Sequence, residues 1–254
     1  DRVARAACAA QWSNVRSYEP GARVSLDPEY LHKMRVATRR LRAALRAFGG
    51  CFTRRTRDYL QGNLSWLAAV LGEVRDMDVQ LLRLEDRRKE LGQDLQQGWD
   101  HLRVVLSERR EGALERMRQA LDSPRYQRLC QRAPEAFKPA PRRPYAHPGR
   151  RAVTFHGEDL VSRRAGQFAR AAKRCMKKPL TRRVHALRIR GKKLRYTCEL
   201  FTSLFRPTYS AQVKRLALFQ DVLGLFNDSV VCGELARELR DEALSDAGAL
   251  PAYL

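Results

Sequence analysis

The sequence predicts an all-α protein built from two copies of one helical unit, and three observations carry that prediction. Apolar residues recur at helical spacing nearly throughout, without strand-like alternation, and glycine and proline gather between the periodic segments. A basic helix is written twice. At an offset of 153 residues (185 minus 32), His32 matches His185, Arg35 matches Arg188, and Arg39-Arg40 matches Lys192-Lys193; Arg42 then matches Arg195, and Phe48 matches Phe201. A second pair repeats at an offset of 152 (228 minus 76), where Leu71-Gly72 and Asp76 match Leu223-Gly224 and Asp228. Two such units related by a pseudo-twofold axis are the simplest architecture.

The elements follow in order. Residues 2–17 form a first helix with Val3, Ala6, Ala10 and Val15 as apolar positions, ended by a loop around Pro20-Gly21. Asp27-Pro28-Glu29 starts the first basic helix, with Asp27 as N-cap and Pro28 in the first turn, and Gly49-Gly50 stops it. Helices at about 54–71 and 74–90 are separated by Gly72, and a long amphipathic helix covers about 94–120, with a shorter one after Pro124. Five prolines (Pro134, Pro139, Pro141, Pro144 and Pro148) mark 132–149 as a linker between a first repeat of about 1–131 and a second of about 150–254. Helices resume at about 157–176, 180–206, 208–223 and 228–245.

Composition narrows the partner. Charged residues make up 31% of the 254, the formal net charge is +22 and the pI is near 10.6. Such a field draws polyanions and repels itself unless carboxylates or a bound anion offset it. The six cysteines are scattered without C-x-x-C or zinc spacing, which fits reduced thiols in a cytoplasmic protein. No apolar run approaches the ~20 residues of a bilayer span, so no membrane insertion is expected.

The chemistry lies on the repeated helix. At 100° per residue His32, Arg35, Arg39, Arg42 and Arg46 fall within an arc of roughly 80°, beside an apolar arc of Leu31, Met34, Leu41, Leu45 and Phe48. His185, Arg188, Lys192 and Arg195 repeat the ridge, while Arg40 and Lys193 project off it in both copies; the position of Arg46 is taken by Glu199. Like charges stacked along about 21 Å of helix repel one another, a cost that a chain of phosphates lying on the ridge offsets. The ridge offers no Asn or Gln for reading bases. Asp76, Asp78 and Asp228 suit helix capping or pairing with ridge arginines, and Trp12, Trp66 and Trp99 suit packing. No metal site, cofactor motif or catalytic constellation is found: E-x-E-x-K, H-x-E and Gly-rich phosphate loops are all absent.

The stretch from Asp27 to Arg42 resembles the signature of the CHAD family, the conserved histidine α-helical domain, and Val184 to Tyr196 resembles its second-half counterpart. The Leu-Gly-x-x-Arg-Asp stretch at 71–76 and the Leu-Gly-x-x-Asn-Asp stretch at 223–228 are similar to its other paired motifs. The resemblance covers nearly the whole chain as a single domain. It implies two pseudo-symmetric helical bundles around a basic central cavity and binding of inorganic polyphosphate, with some members associated with polyphosphate granules. By the motif match, His32, Arg35, Arg39, Arg40 and Arg42, extended along the ridge by Arg46, would line one wall, and His185, Arg188, Lys192, Lys193 and Arg195 the other. Lys214 and Arg215 would add contacts, although the matching stretch of the first half, Gly62 to Ser65, lacks a cation. The expected protein is a polyphosphate-binding module and not an enzyme, able to take sulfate or phosphate ions in place of the chain. The rivals are a nucleic-acid-binding protein, with nucleic acid otherwise only a non-specific competitor, and a polyphosphate or triphosphate hydrolase.

Overall fold

The computed structural model describes residues 2–88, 93–139, 153–202 and 208–245. Among them there are eight α-helices and no strand: α1 Arg2–Val24, α2 Pro28–Ala47, α3 Arg54–Arg88, α4 Gln93–Asp122, α5 Pro124–Phe137, α6 Val153–Lys177, α7 Thr181–Phe201 and α8 Thr208–Ser245. A 3-10 turn, Gly49–Cys51, follows α2. The all-α class predicted from periodicity is the class observed.

Local chemistry sets the start of α2 as expected. The Asp27 carboxylate accepts the backbone N–H of Glu29 at 2.8 Å, and Pro28 supplies the first helical residue, where a missing N–H costs nothing. Its apolar arc is the buried one: Leu31, Met34, Leu41 and Leu45 are at most 1% exposed.

Elsewhere packing overrides the local breaks. Helix α1 continues through Pro20 to Val24 instead of stopping near residue 17. Proline removes one intrahelical hydrogen bond, but the Glu19 carboxylate beside it is buried and fixed by Arg23 Nε at 2.9 Å, by the Tyr126 hydroxyl at 2.6 Å and by Arg16. The helix ends where Ser25 adopts a positive φ of 58° and its N–H donates to the Gly21 carbonyl at 2.9 Å. The apolar phase of α1 also differs from the one expected. Ala4, Cys8, Trp12, Val15 and Ala22 are buried, whereas Val3, Ala6 and Ala10 are exposed.

Gly72 does not divide α3, because fully buried Leu67, Leu71 and Val74 continue one stripe past it. Gly224 likewise lies inside α8. Pro134 lies inside α5, so 132–137 are helical rather than linker. Residues 140–149 of that predicted linker lie outside the described residues, as does the end of the helix predicted to reach 206.

Two compact units draw on interleaved segments, each taking residues from both predicted repeats. The first comprises the described residues within Asp1–Cys8, Arg40–Thr53 and Phe137–Val230; the second comprises those within Ala9–Arg39, Arg54–Ala136 and Val231–Leu254. In the first unit α6, α7 and α8 share a core. Val161, Leu194 and Cys198 pack with Phe168, Val213 and Leu216, and Ala171, Cys175 and Leu187 pack with Phe168, Phe219 and Leu223. Phe48, Phe201 and His156 meet there edge-on and stacked, and His156 Nε2 lies 2.8 Å from the Ala47 carbonyl oxygen. Burial pushes the Cys8 thiol up to about 12 and that of Cys198 to about 11, so both are inert packing groups.

In the second unit α3 supplies the buried stripe Leu60, Leu64, Leu67 and Leu71, and α4 supplies Leu114, Met117 and Leu121. Buried Asp78 has its ion-pair partner there. Asp78 accepts Arg110 Nε at 2.7 Å, and Arg110 also donates to Ser25 Oγ at 2.8 Å. The tryptophans pack as expected: Trp12 is buried, Trp66 lies under Arg125, and Trp99 Nε1 donates to the Leu84 carbonyl at 2.8 Å.

Candidate anion-binding site

The N-terminal part of the α2 ridge belongs to the second unit. His32, Arg35 and Arg39 are half-buried there. Arg35 lies 3.6 Å from the Asp76 carboxylate on α3, which is the pairing of a ridge arginine with that aspartate that the sequence predicts. The same guanidinium runs past buried Gly72, 3.9 Å from where a Cβ would stand. Asp78 is committed elsewhere, to Arg110 and, at 3.9 Å, to Arg75. The side chain of Asp228 lies outside the described residues.

Burial lowers the His32 imidazole below its ordinary value, and the charges of Arg75, Arg39 and Arg35 push the same way against Glu29. His32 is therefore a neutral hydrogen-bonding group at pH 7, set among three cations.

The rest of the α2 ridge and the whole α7 ridge belong to the first unit. Arg40 lies 3.4 Å from Glu199 Oε2, and Arg195 Nε donates to Glu199 Oε1 at 2.7 Å. The glutamate that interrupts the second ridge in the sequence is thus a shared counter-ion. Arg195 also donates to the Gln220 side-chain carbonyl at 3.3 Å. On α7, Arg188 and Lys192 are half-buried and His185 is exposed. Lys214 and Arg215 are exposed on α8, and among the described residues nothing ties them to a ridge.

The remaining predicted residues gather into a cationic cluster with two arginines that sequence reasoning missed. Burial lowers the Arg42 guanidinium. Arg46 is accessible as a residue, yet desolvation of its head group and the charges of Arg42 and Arg164 hold it down. Lys193 is lowered by desolvation first, then by Arg164, Arg46 and Arg190. Arg46 and Lys193 thus carry a repulsion from neighbouring cations on top of their desolvation, and a bound anion would offset it. Arg164 escaped notice because α6 has no counterpart in the matched helices. Its signal was present in the spacing of Arg164, Arg170 and Arg174 along one helix face.

Among the described residues no group of three His, Cys, Asp or Glu side chains could hold a metal ion, and no helix is long and apolar enough to cross a membrane.

A family model for the CHAD domain matches residues 6–237. Among solved structures, a CHAD domain from the plant Ricinus communis is similar at 29% identity, covering 94% of this chain and 78% of that one, with a TM-score of 0.74. PptA from Streptomyces chartreusis shares the fold at 17% identity, covering 99% of this chain and 88% of that one, with a TM-score of 0.70. No curated protein matches the chain.

Proposed function

We propose, from the premise that this chain belongs to the CHAD domain family, that it binds inorganic polyphosphate through the basic ridges of α2 and α7 and carries out no catalysis. CHAD domains are linked to polyphosphate binding. The observation that carries the reading for this chain is the pair of matched ridges, His32 to Arg42 and His185 to Arg195, each set beside a buried apolar stripe. A thin phosphate chain fits a row of guanidinium and ammonium groups spaced by one helical turn, whereas a nucleic acid would meet a ridge without base-reading side chains through its phosphates alone. The expected setting is the cytoplasm, at polyphosphate granules.

The test is a titration against long-chain polyphosphate with single-stranded RNA of matched charge as competitor. Polyphosphate is expected to hold against the RNA, and its affinity to fall on the order of a thousandfold between ~50 and ~200 mM salt if about six phosphates are engaged. Equal displacement by RNA would give first place to nucleic-acid binding. Orthophosphate release from polyphosphate with Mg²⁺ or Mn²⁺ would make the protein a hydrolase instead.

Polyphosphate affinity is also expected to rise as pH falls below about 6.5, because bound phosphates raise the imidazole that burial, and then the charges of Arg75, Arg39 and Arg35, hold down. One proton taken up on binding gives at most about tenfold per pH unit, levelling off below the free-state pKa. The sign for folding is opposite. The unfolded imidazole protonates first, so without ligand the folded state loses stability through the same window. Titrations at several pH values should show the binding slope in the wild type and lose it in His32→Gln; a slope that survives the substitution would remove His32 from the site.

A further inference from the structure

Helix α7 carries a second basic face. Taking His185 as 0°, the predicted ridge occupies roughly 280–360° of the helix, and buried Leu187, Leu194 and Cys198 roughly 180–220°. On the other side of that stripe, at roughly 40–160°, lie Arg182, Arg183, Ile189, Arg190 and Lys193. This face and α6 enclose a groove of about 870 Å³, to which α6 contributes Arg164, Arg170 and Arg174. Of these residues only Lys193 was among those expected to bind.

The groove contains seven cations and no carboxylate among its lining residues. Among the described residues none of the seven pairs with an acid, in contrast to Arg35, Arg40 and Arg195 on the ridges. Their neutral partners leave most donors available and hold the rim in place. Arg183 donates to the carbonyls of Arg174 at 3.0 Å and Lys178 at 3.3 Å, fixing the α6–α7 turn, and Arg164 donates to Gln167 at 3.1 Å. The groove of the second unit offers a control within the same protein: there Glu73, Asp76 and Glu108 balance Arg109 and Arg116.

We propose that the α6–α7 groove is a second anion site, which takes a linear condensed phosphate on a face of α7 separate from the ridge. This rests on the proposed function for the ligand class, but not for the residues. Arg164 to Arg174 and Arg183 to Lys193 each span about 15 Å of helix, too long a row of charge for a single orthophosphate. No aromatic side chain lines the groove, so it offers no ring on which a base could stack. With a ridge and a groove on one helix about 10–12 Å across, a long chain can engage both, which raises avidity without a new contact.

Arginine footprinting of the full chain with phenylglyoxal, read by mass spectrometry with and without sodium tripolyphosphate, tests this without a variant. Protection of Arg164, Arg170, Arg174 and Arg190 together with Arg188 and Arg195, while exposed Arg55 and Arg128 react unchanged, is the expected result. Protection of the ridge alone overturns the groove and leaves the proposed function standing. Protection of the groove alone keeps the groove and overturns the ridge. Uniform protection, or none, overturns both. Groove protection by an RNA oligonucleotide and not by tripolyphosphate overturns the ligand class. Calorimetry of Arg170→Gln/Arg174→Gln/Arg190→Gln, with helicity checked by circular dichroism, should lose one of two bound tripolyphosphates. Affinity at that site should fall on the order of tenfold per guanidinium removed; an unchanged stoichiometry of two would also refute the site.

Discussion

Arg39→Glu combined with Lys192→Glu is expected to lower polyphosphate affinity by at least about a hundredfold. The two residues occupy matched positions near the middle of the two ridges, and both are half-buried. Hydrogen bonds to charged groups contribute about 1.5–3 kcal/mol each, so the loss of two amounts to about 3–6 kcal/mol before repulsion by the new carboxylates. The substitution changes the formal net charge from +22 to +18 (22 minus 4), leaving the long-range field largely intact. That separates contact from general attraction. Arg55→Glu/Arg128→Glu makes the same change in charge at two exposed positions, and it should cost little beyond slower association. Titration of both variants against long-chain polyphosphate at fixed salt decides the matter. Equal weakening by the two pairs would mean that the protein binds by bulk charge and that the ridges have no special place.

What the sequence made legible was governed by short-range chemistry or by exact repetition. Asp27 announces α2 because an aspartate cap needs only the next two residues, and the α2 apolar arc is correct because one helix period fixes it. Helix breaks are not legible where burial outweighs propensity. Gly72 costs about 1 kcal/mol against alanine in a helix, far less than the burial of Leu67, Leu71 and Val74 around it. Repetition also directed attention. The match of α2 to α7 marks the ridges but does not include α6, whose Arg164 joins Arg46 and Lys193 in the cationic cluster of the first unit. Counter-ions were hidden for a related reason. Glu199 appears on α7 as a missing cation, and only the folded chain sets its second oxygen beside Arg40, 159 residues away (199 minus 40).

Glu19→Ala should cost about 3 kcal/mol of stability, the largest effect expected from a residue remote from the ridges. Glu19 is 6% exposed, and its carboxylate receives Arg16, Arg23 at 2.9 Å and the Tyr126 hydroxyl at 2.6 Å, tying α1 to α5. Removing one partner of a buried pair costs about 3–5 kcal/mol, because the charge left behind has no counterpart. The low end applies here. Arg16 can turn to solvent, and Arg23 keeps Asp122 at 2.7 Å and the Leu121 carbonyl at 2.9 Å. The Tyr126 hydroxyl, on a residue 2% exposed, keeps only the Arg16 donor and loses its own acceptor. Tyr126→Phe removes that hydroxyl and leaves the ion pairs in place, so it should cost only about 1 kcal/mol. Urea unfolding of the two variants beside the wild type, at matched slope, measures the difference. A Glu19→Ala loss no greater than that of Tyr126→Phe would show that the carboxylate is not what carries α1 past Pro20. The helix would then owe its last turn to the burial of Ala22 and to the Ser25 cap alone.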